Sequence, residues 1–267
     1  MKLSNNTRLE VRELTKIFVS GRRKITAVDQ VSFEIHEREI VSLVGQSGSG
    51  KTTIAHMILN LLKSTSGSII FDGKDIKDIK KKIYWRNVQG IFQDPFSSFN
   101  QFFVVKKVLR DSFKILDKNF NNEEKDKIII KALESVNIDP GDVLEKYPFE
   151  LSGGQMQRIM IARIFIIKPK LLIADEPTSM IDSILRANIL KLFEKLREKQ
   201  GTSIMFITHD IGLAYYVSDR IFIMHRGKIV EAGSAEQVIM NPNHTYTKGL
   251  IEDVPTLHKE WILTKRS

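Results

Sequence analysis

The chain contains no cysteine. That excludes disulfide staples, thiolate zinc sites and cysteine-ligated iron–sulfur clusters, and it is compatible with a reducing compartment. Long apolar runs are also missing. No uninterrupted stretch approaches the ~20 residues that a helix needs to span a bilayer, so any membrane passage is expected in another chain. The start, MKLSNNTRLEVREL, has no apolar stretch and does not read as a signal peptide. There is no internal repeat, no low-complexity tract and no heptad run. Acidic residues are the scarcer charge: Asp+Glu 32 against Lys+Arg 41 leaves a net +9. Such an excess fits nucleic acid, anionic lipid or simple solubility. The Lys-rich stretch Lys74–Lys82 is broken by Asp75 and Asp78 and reads as a solvated face. Without a basic groove interleaved with aromatics, no nucleic-acid partner is expected.

What is present builds a core. Hydrophobic residues are 42% of 267, enough for one large α/β domain or two small ones. LEVRELTKIFV and ITAVDQVSFEI alternate as strands with charges facing out. EIVSLVG is a short buried strand ending at a Gly-rich turn, and TTIAHMILNLL continues as a helix. SGSIIFDGKDI reads as a hairpin strand flanked by turn residues. LLIAD and SIMFITHD are apolar runs of the kind found in parallel strands covered on both faces. Between them Leu185, Ile189, Leu192, Phe193 and Leu196 keep helical spacing up to a stop at Gly201. From about Gln93 to Glu150 the character changes. DPFSSFNQFF leads into helical segments, among them Glu123–Val136 with Ile128, Ile129, Ala132, Leu133 and Val136 on one side. The predicted class is α/β, a mostly parallel sheet with an antiparallel β part and a helical subdomain insertion. Residues 1–92 and 157–232 are predicted to form the core, 93–156 the helical insertion and 233–267 a polar C-terminal extension.

The chemistry sits in short strings. Gly45-x4-Gly50-Lys51-Thr52 follows a strand and opens a helix, the context a phosphate loop requires. Its glycines let the backbone curl so that N–H groups face phosphate oxygens, and the helix adds its positive end. Lys51 would bridge β- and γ-phosphates, and the Thr52 hydroxyl would ligate Mg2+. Leu171–Glu176 puts two carboxylates at the end of an apolar strand. Asp175 would hold Mg2+, and Glu176 would polarise the attacking water. LSGGQ, Leu151–Gln155, offers the Ser152 hydroxyl and the unobstructed N–H groups of Gly153 and Gly154. Those suit a second phosphate surface. One chain does not easily wrap both surfaces round one nucleotide, so two subunits closing over ATP are expected. Taken alone, Gln93 before Asp-Pro is a loop residue, His209 at a strand end is structural, and Phe18 in a strand is either core or an adenine platform.

GQSGSGKT, IFQDP, LSGGQMQR, LLIADEP, SMID and ITHD occur in the order and spacing of ATP-binding cassette (ABC) transporter ATPase subunits, a family the chain resembles over nearly its whole length. The resemblance implies a RecA-like P-loop ATPase core carrying the helical subdomain, with ATP and Mg2+ as ligands. It assigns phosphate and Mg2+ binding to Gly45, Gln46, Ser47, Gly48, Ser49, Gly50, Lys51, Thr52 and Thr53. Gln93 becomes the Q-loop residue that reaches Mg2+ and the attacking water. Ser152, Gly153, Gly154 and Gln155 become the signature that closes on ATP held by the partner subunit. Asp175 is the metal-binding Asp, Glu176 the catalytic base, Asp182 the contact between subunits and His209 the switch histidine. Phe18 stacks on adenine. No catalytic position is replaced, which implies turnover rather than nucleotide sensing alone.

A narrower resemblance lies in IFQDPFSSFN and the tail NPNHTYTKGLIEDVP. Both are similar to ATPases of the oligopeptide/dipeptide/nickel import subfamily, and QDPFSSFNQFF is also similar to members that import oligosaccharides. Two positions depart: Thr245 and Gln101 stand where the subfamily usually has Pro. The implied partners are a second ATPase subunit of the same or a paralogous chain, two transmembrane permease subunits and, indirectly, an extracytoplasmic substrate-binding protein. The implied place is the cytoplasmic face of the membrane, peripherally bound. A coupling helix of the permease is expected near Gln93 and Phe96–Phe99, unless those phenylalanines fill the insertion's own core. A soluble non-transport ABC ATPase and a non-catalytic sensor remain the competing classes.

Overall fold

The computed structural model describes residues 7–116, 118–178 and 183–253. In chain order the elements are β1 (Thr7–Ser20), β2 (Arg23–His36), β3 (Ile40–Val44), α1 (Lys51–Ile58), β4 (Ser66–Phe71) and β5 (Lys74–Asp75). There follow α2 (Lys81–Asn87), β6 (Val88–Ile91), α3 (Val105–Asp111), α4 (Asn122–Ser135), α5 (Pro140–Val143), α6 (Gly153–Ile167), β7 (Leu171–Asp175) and α7 (Ser183–Gln200). The last group is β8 (Ser203–Thr208), α8 (Ile211–Val217), β9 (Arg220–His225), β10 (Lys228–Ser234), α9 (Ala235–Met240) and α10 (Thr245–Glu252). The chain divides into two compact units, Met1–Ile79 with Ser203–Ser267, and Lys80–Thr202.

In the first unit β1 pairs antiparallel with β2 on one edge and β4 on the other, giving the order β2-β1-β4-β5. Alternation along β1 and β2 sends Leu9, Val11, Val31, Phe33 and Ile35 inward, as their period of two dictates. A second set of strands is built on β3, which runs parallel to β8 (Ile40↔Ile204) and to β9 (Val41↔Arg220). All five residues of β3 and all six of β8 are buried, which is why these stretches read as continuous apolar runs rather than alternating ones. β10 adds antiparallel to β9.

The second unit holds the parallel pair β6 and β7, in register from Val88↔Leu171 to Ile91↔Ala174. α6 is tied to β6 by the Arg163 guanidinium, which donates to Gln89 Oε1 at 3.1 Å; burial pushes the guanidinium pKa down. α4 starts at a reciprocal capping box. The Asn121 side chain accepts from Glu124 N at 2.8 Å, and Glu124 accepts from Asn121 N at 2.9 Å. Its buried face is Ile129, Ala132 and Leu133. Arg110 of α3 donates to both carboxylate oxygens of Asp126 in α4, at 2.8 and 2.7 Å.

Within the polar C-terminal stretch that starts at Gly233, the described residues 233–253 include packed elements. Gly233 lies within β10, the Ser234 hydroxyl caps α9 through Gln237 N at 3.1 Å, and Ala235, Val238 and Ile239 enter a core with Val44, Ile211, Ala214, Ile221 and Ile223. Three apolar residues at i, i+3 and i+4 suffice to seat one helical turn, while Glu236, Gln237 and Met240 stay exposed. Truncating this contact, Ile239→Ala, is expected to lower the unfolding free energy by about 2–5 kcal/mol in a urea melt; a dangling tail would give no shift.

One close approach sets the phosphate loop against β9. A Cβ built at Gly45 would lie 2.2 Å from the Met224 carbonyl oxygen. That neighbour is strand backbone and cannot swing aside. Gly45→Ala is therefore expected to cost about 1–3 kcal/mol of stability, read by thermal or urea unfolding; a neutral substitution would show that the loop and β9 separate freely.

Candidate nucleotide-binding site

β3 ends at Val44 and α1 begins at Lys51, so the loop between them takes its direction from the buried strand. Gly48 (φ +78) and Gly50 (φ +107) occupy backbone conformations that L side chains rarely adopt. The Lys51 side chain, only 7% exposed in its residue, folds back and donates to Gly45 O at 2.6 Å and Gln46 O at 3.0 Å. Ser49 N donates to Gln46 O at 3.2 Å. Ser49 Oγ is buried with no hydrogen-bond partner among the described residues. A buried hydroxyl left over in the loop that holds the Lys51 ammonium fits a phosphate oxygen, which accepts from both kinds of donor. The first turn of α1 has no acidic residue to oppose an anion at that helix end. Thr52, in the same turn and exposed, offers a hard hydroxyl oxygen of the type Mg2+ takes. These features fit a Mg2+-bound polyphosphate.

At the other predicted strand end, Asp175 closes β7 and is buried, while Glu176 follows it at φ +49. A glutamate in the left-handed region costs of order 1–3 kcal/mol, and such strain gathers where a side chain has to be aimed. The next residues are pinned. Gln157 of α6, 3% exposed, donates its amide to Pro177 O at 2.6 Å. Sequence reasoning passed over Gln157; its signal was a polar residue on the apolar face of the helix that follows LSGGQ.

The signature string turns out to be a helix start. Ser152 is the N-cap of α6: its Oγ accepts from Gln155 N at 3.2 Å, and Gln155 Oε1 accepts from Ser152 N at 3.0 Å. This is the S-x-x-Q capping box, legible in the sequence but not used there. The cap consumes a lone pair of the Ser152 hydroxyl and leaves its proton to donate. Ser152 is exposed, and α6 is fifteen residues long, so its positive end faces solvent with that donor.

The remaining candidates are placed as follows. Phe18 lies in β1 and is 42% exposed, so it is not part of the core, with Lys16 Nζ 5.1 Å from the ring centre. His209 directly follows β8 and is exposed; its neighbour Asp210 caps α8 through Gly212 N and Leu213 N. Gln93, also exposed, follows β6. Asp182 lies outside the described residues. Phe18, the phosphate loop and His209 belong to the first unit; Gln93, Asp175, Glu176 and Ser152–Gln155 belong to the second.

Of the aromatics after Gln93, Phe99 is 7% exposed and fills the local core. The outward-facing ones are Phe102 and Phe103, together with Tyr147 and Phe149, whose rings stack at 5.5 Å. Their two segments are joined by Val105 N to Lys146 O and Lys106 N to Leu144 O, at 2.9 and 3.0 Å. An exposed aromatic group of this size is unusual unless another surface covers it.

Comparison with known proteins agrees with this geometry. The family model for the ABC transporter matches residues 28–179, and that for the oligopeptide/dipeptide transporter C-terminal region matches residues 230–267. The oligopeptide transport ATP-binding protein of Streptococcus mutans is 40% identical over 251 residues, covering 92% of this chain and 81% of that protein. The dipeptide transport ATP-binding protein of Lactococcus lactis is 39% identical over 254 residues, covering 93% and 81%. An ATP-binding cassette solved as a dimer in a post-hydrolysis state with ADP and Pi superposes with a TM-score of 0.78 at 28% identity, covering 85% of this chain and 98% of that one. A cassette of a Clostridium perfringens ABC transporter complex gives 0.76 at 26% identity, covering 97% and 100%. The matched families, the fold and the nucleotide-loop geometry agree: the chain belongs to the ABC transporter family, as an ATP-binding and ATP-hydrolysing subunit.

Proposed function

We propose that this subunit powers uptake of oligopeptides or dipeptides. The observation that carries the cargo is the match of residues 230–267 to the C-terminal region of oligopeptide/dipeptide transporters. The names of the curated relatives, oligopeptide and dipeptide transport ATP-binding proteins, point the same way. No helix among the described residues is long and apolar enough to cross a membrane, so the permeation path belongs to partner chains. The ATPase works peripherally at the cytoplasmic face, paired with a second ATPase subunit and seated on two permease subunits that receive peptide from an extracytoplasmic binding protein. The exposed aromatics Phe102, Phe103, Tyr147 and Phe149 supply the anchor for a permease helix.

In this reading adenine stacks on Phe18 and the phosphates lie in Gly45–Thr53. Lys51 exchanges its carbonyl partners for phosphate oxygens. Thr52, Asp175 and Gln93 would hold Mg2+, which would supply charge to offset that of the β- and γ-phosphates. Glu176 takes the proton of the water that attacks the γ-phosphorus in line. The bridging oxygen leaves with ADP, and His209 orients base and water. Ser152–Gln155 of the neighbouring subunit, with Ser152 donating, complete the phosphate shell, and Asp182 serves the contact between subunits. Closure requires the triphosphate, and its hydrolysis lets the pair reopen.

Two outcomes are expected. In the assembled transporter, Glu176→Gln keeps ATP binding and slows turnover by about 10²-fold or more; turnover at the wild-type rate would remove Glu176 as base. Cells lacking this subunit lose uptake of labelled di- and oligopeptides and keep uptake of nickel and oligosaccharides, whereas loss of sugar or nickel uptake with intact peptide uptake would assign a different cargo.

A further inference from the structure

The C-terminal string NPNHTYT reaches the nucleotide loop. Gln46 N donates to the Tyr246 hydroxyl at 3.1 Å, across 200 residues of sequence. The carbonyl of the same residue, Gln46 O, accepts from Lys51 Nζ at 3.0 Å and Ser49 N at 3.2 Å. The two backbone polar groups of Gln46 therefore join the C-terminal region to the lysine of the phosphate loop. Gln46 is exposed, so water could serve its N–H; desolvation does not demand this bond.

The hydroxyl is held in place from several directions. The Tyr246 ring lies against His225 of β9, centroids 3.9 Å apart and tilted 34°. Tyr246 N donates to His244 Nδ1 at 3.1 Å, which starts α10. Asn243 N and His244 N donate to the two oxygens of Glu231 in β10, at 2.7 and 3.1 Å. Burial, the largest single influence, would raise the Glu231 pKa; the Asn243 N–H, Thr247 and His244 together outweigh it and hold the carboxyl below its ordinary value. Leu250 and Ile251 of α10 pack on the core that contains Val44, the residue before the loop.

We propose that Tyr246 is a positioning residue for the phosphate loop, and that nucleotide in the loop and docking of α10 stabilise each other. Linkage makes the effect reciprocal: whatever the hydroxyl adds to nucleotide affinity, nucleotide adds to the docking of α10. This rests on the reading that Gly45–Thr53 holds ATP, so the test carries its own control. Tyr246→Phe keeps the ring on His225 and deletes only the hydroxyl. In the full chain it is expected to weaken Mg-ATP binding by about 2- to 10-fold, the worth of one neutral hydrogen bond, while kcat at saturating ATP changes by less than about twofold. Amide exchange across residues 245–252 is expected to slow when Mg-ATP is added to the wild-type chain, and to slow less in Tyr246→Phe. Unchanged affinity in Tyr246→Phe, or α10 amides indifferent to Mg-ATP in the wild type, would overturn the proposal. Lys51→Ala separates the failures. If it abolishes binding while Tyr246→Phe does nothing, only the role of Tyr246 falls; if it leaves affinity intact, the reading of the loop falls with it.

Discussion

The Lys51 ammonium is buried against the carbonyls of Gly45 and Gln46, and the shape of the phosphate loop depends on that pair of bonds. A cation held within a glycine-rich loop at a helix start suits an anion, because phosphate oxygens accept from an ammonium as well as from backbone N–H groups. The loop is framed from outside as well as from within. β3 aims it, the Met224 carbonyl presses on Gly45, and Tyr246 meets Gln46 N. Preorganisation of this kind keeps donors from having to be reassembled at each cycle.

In the proposed function the loop supplies one face of a phosphate shell, and the start of α6 in the neighbouring subunit supplies a second. Ser152 caps α6 through a lone pair, which leaves its hydroxyl proton available to donate. Gln157, four residues into the same helix, holds Pro177 O just beyond Glu176. A displacement of α6 that follows closure would thus be felt at the backbone next to the proposed base, giving a physical route from subunit contact to hydrolysis.

The strings proposed to carry the chemistry stand out in the sequence because phosphate binding and water activation need particular residue types at fixed spacing. GQSGSGKT, LSGGQ and LLIADE each begin or end at a buried element that their flanking apolar runs announce. Strand runs were legible for the same reason: β3, β7 and β8 are covered on both faces and read as continuous apolar segments. The part that escaped is non-local or conformational. The bond from Gln46 to Tyr246 spans 200 residues, which no local periodicity encodes. The positive φ of Glu176 is set by what surrounds it rather than by its own side chain. α9 was hidden because a short apolar helix sits between polar flanks, although the spacing of Ala235, Val238 and Ile239 was sufficient. Phe99 and Phe102 look alike in the sequence, yet one is buried and the other is 86% exposed.

In the proposed cycle two phosphate-binding surfaces, from two subunits, meet on one nucleotide. Backbone amide exchange on the assembled, membrane-embedded transporter, with and without Mg-ATP, measures both surfaces in one experiment. The account predicts slower exchange at residues 45–53 and at residues 152–155 together when Mg-ATP is present. Slowing at 45–53 alone, with 152–155 exchanging as before, would contradict it.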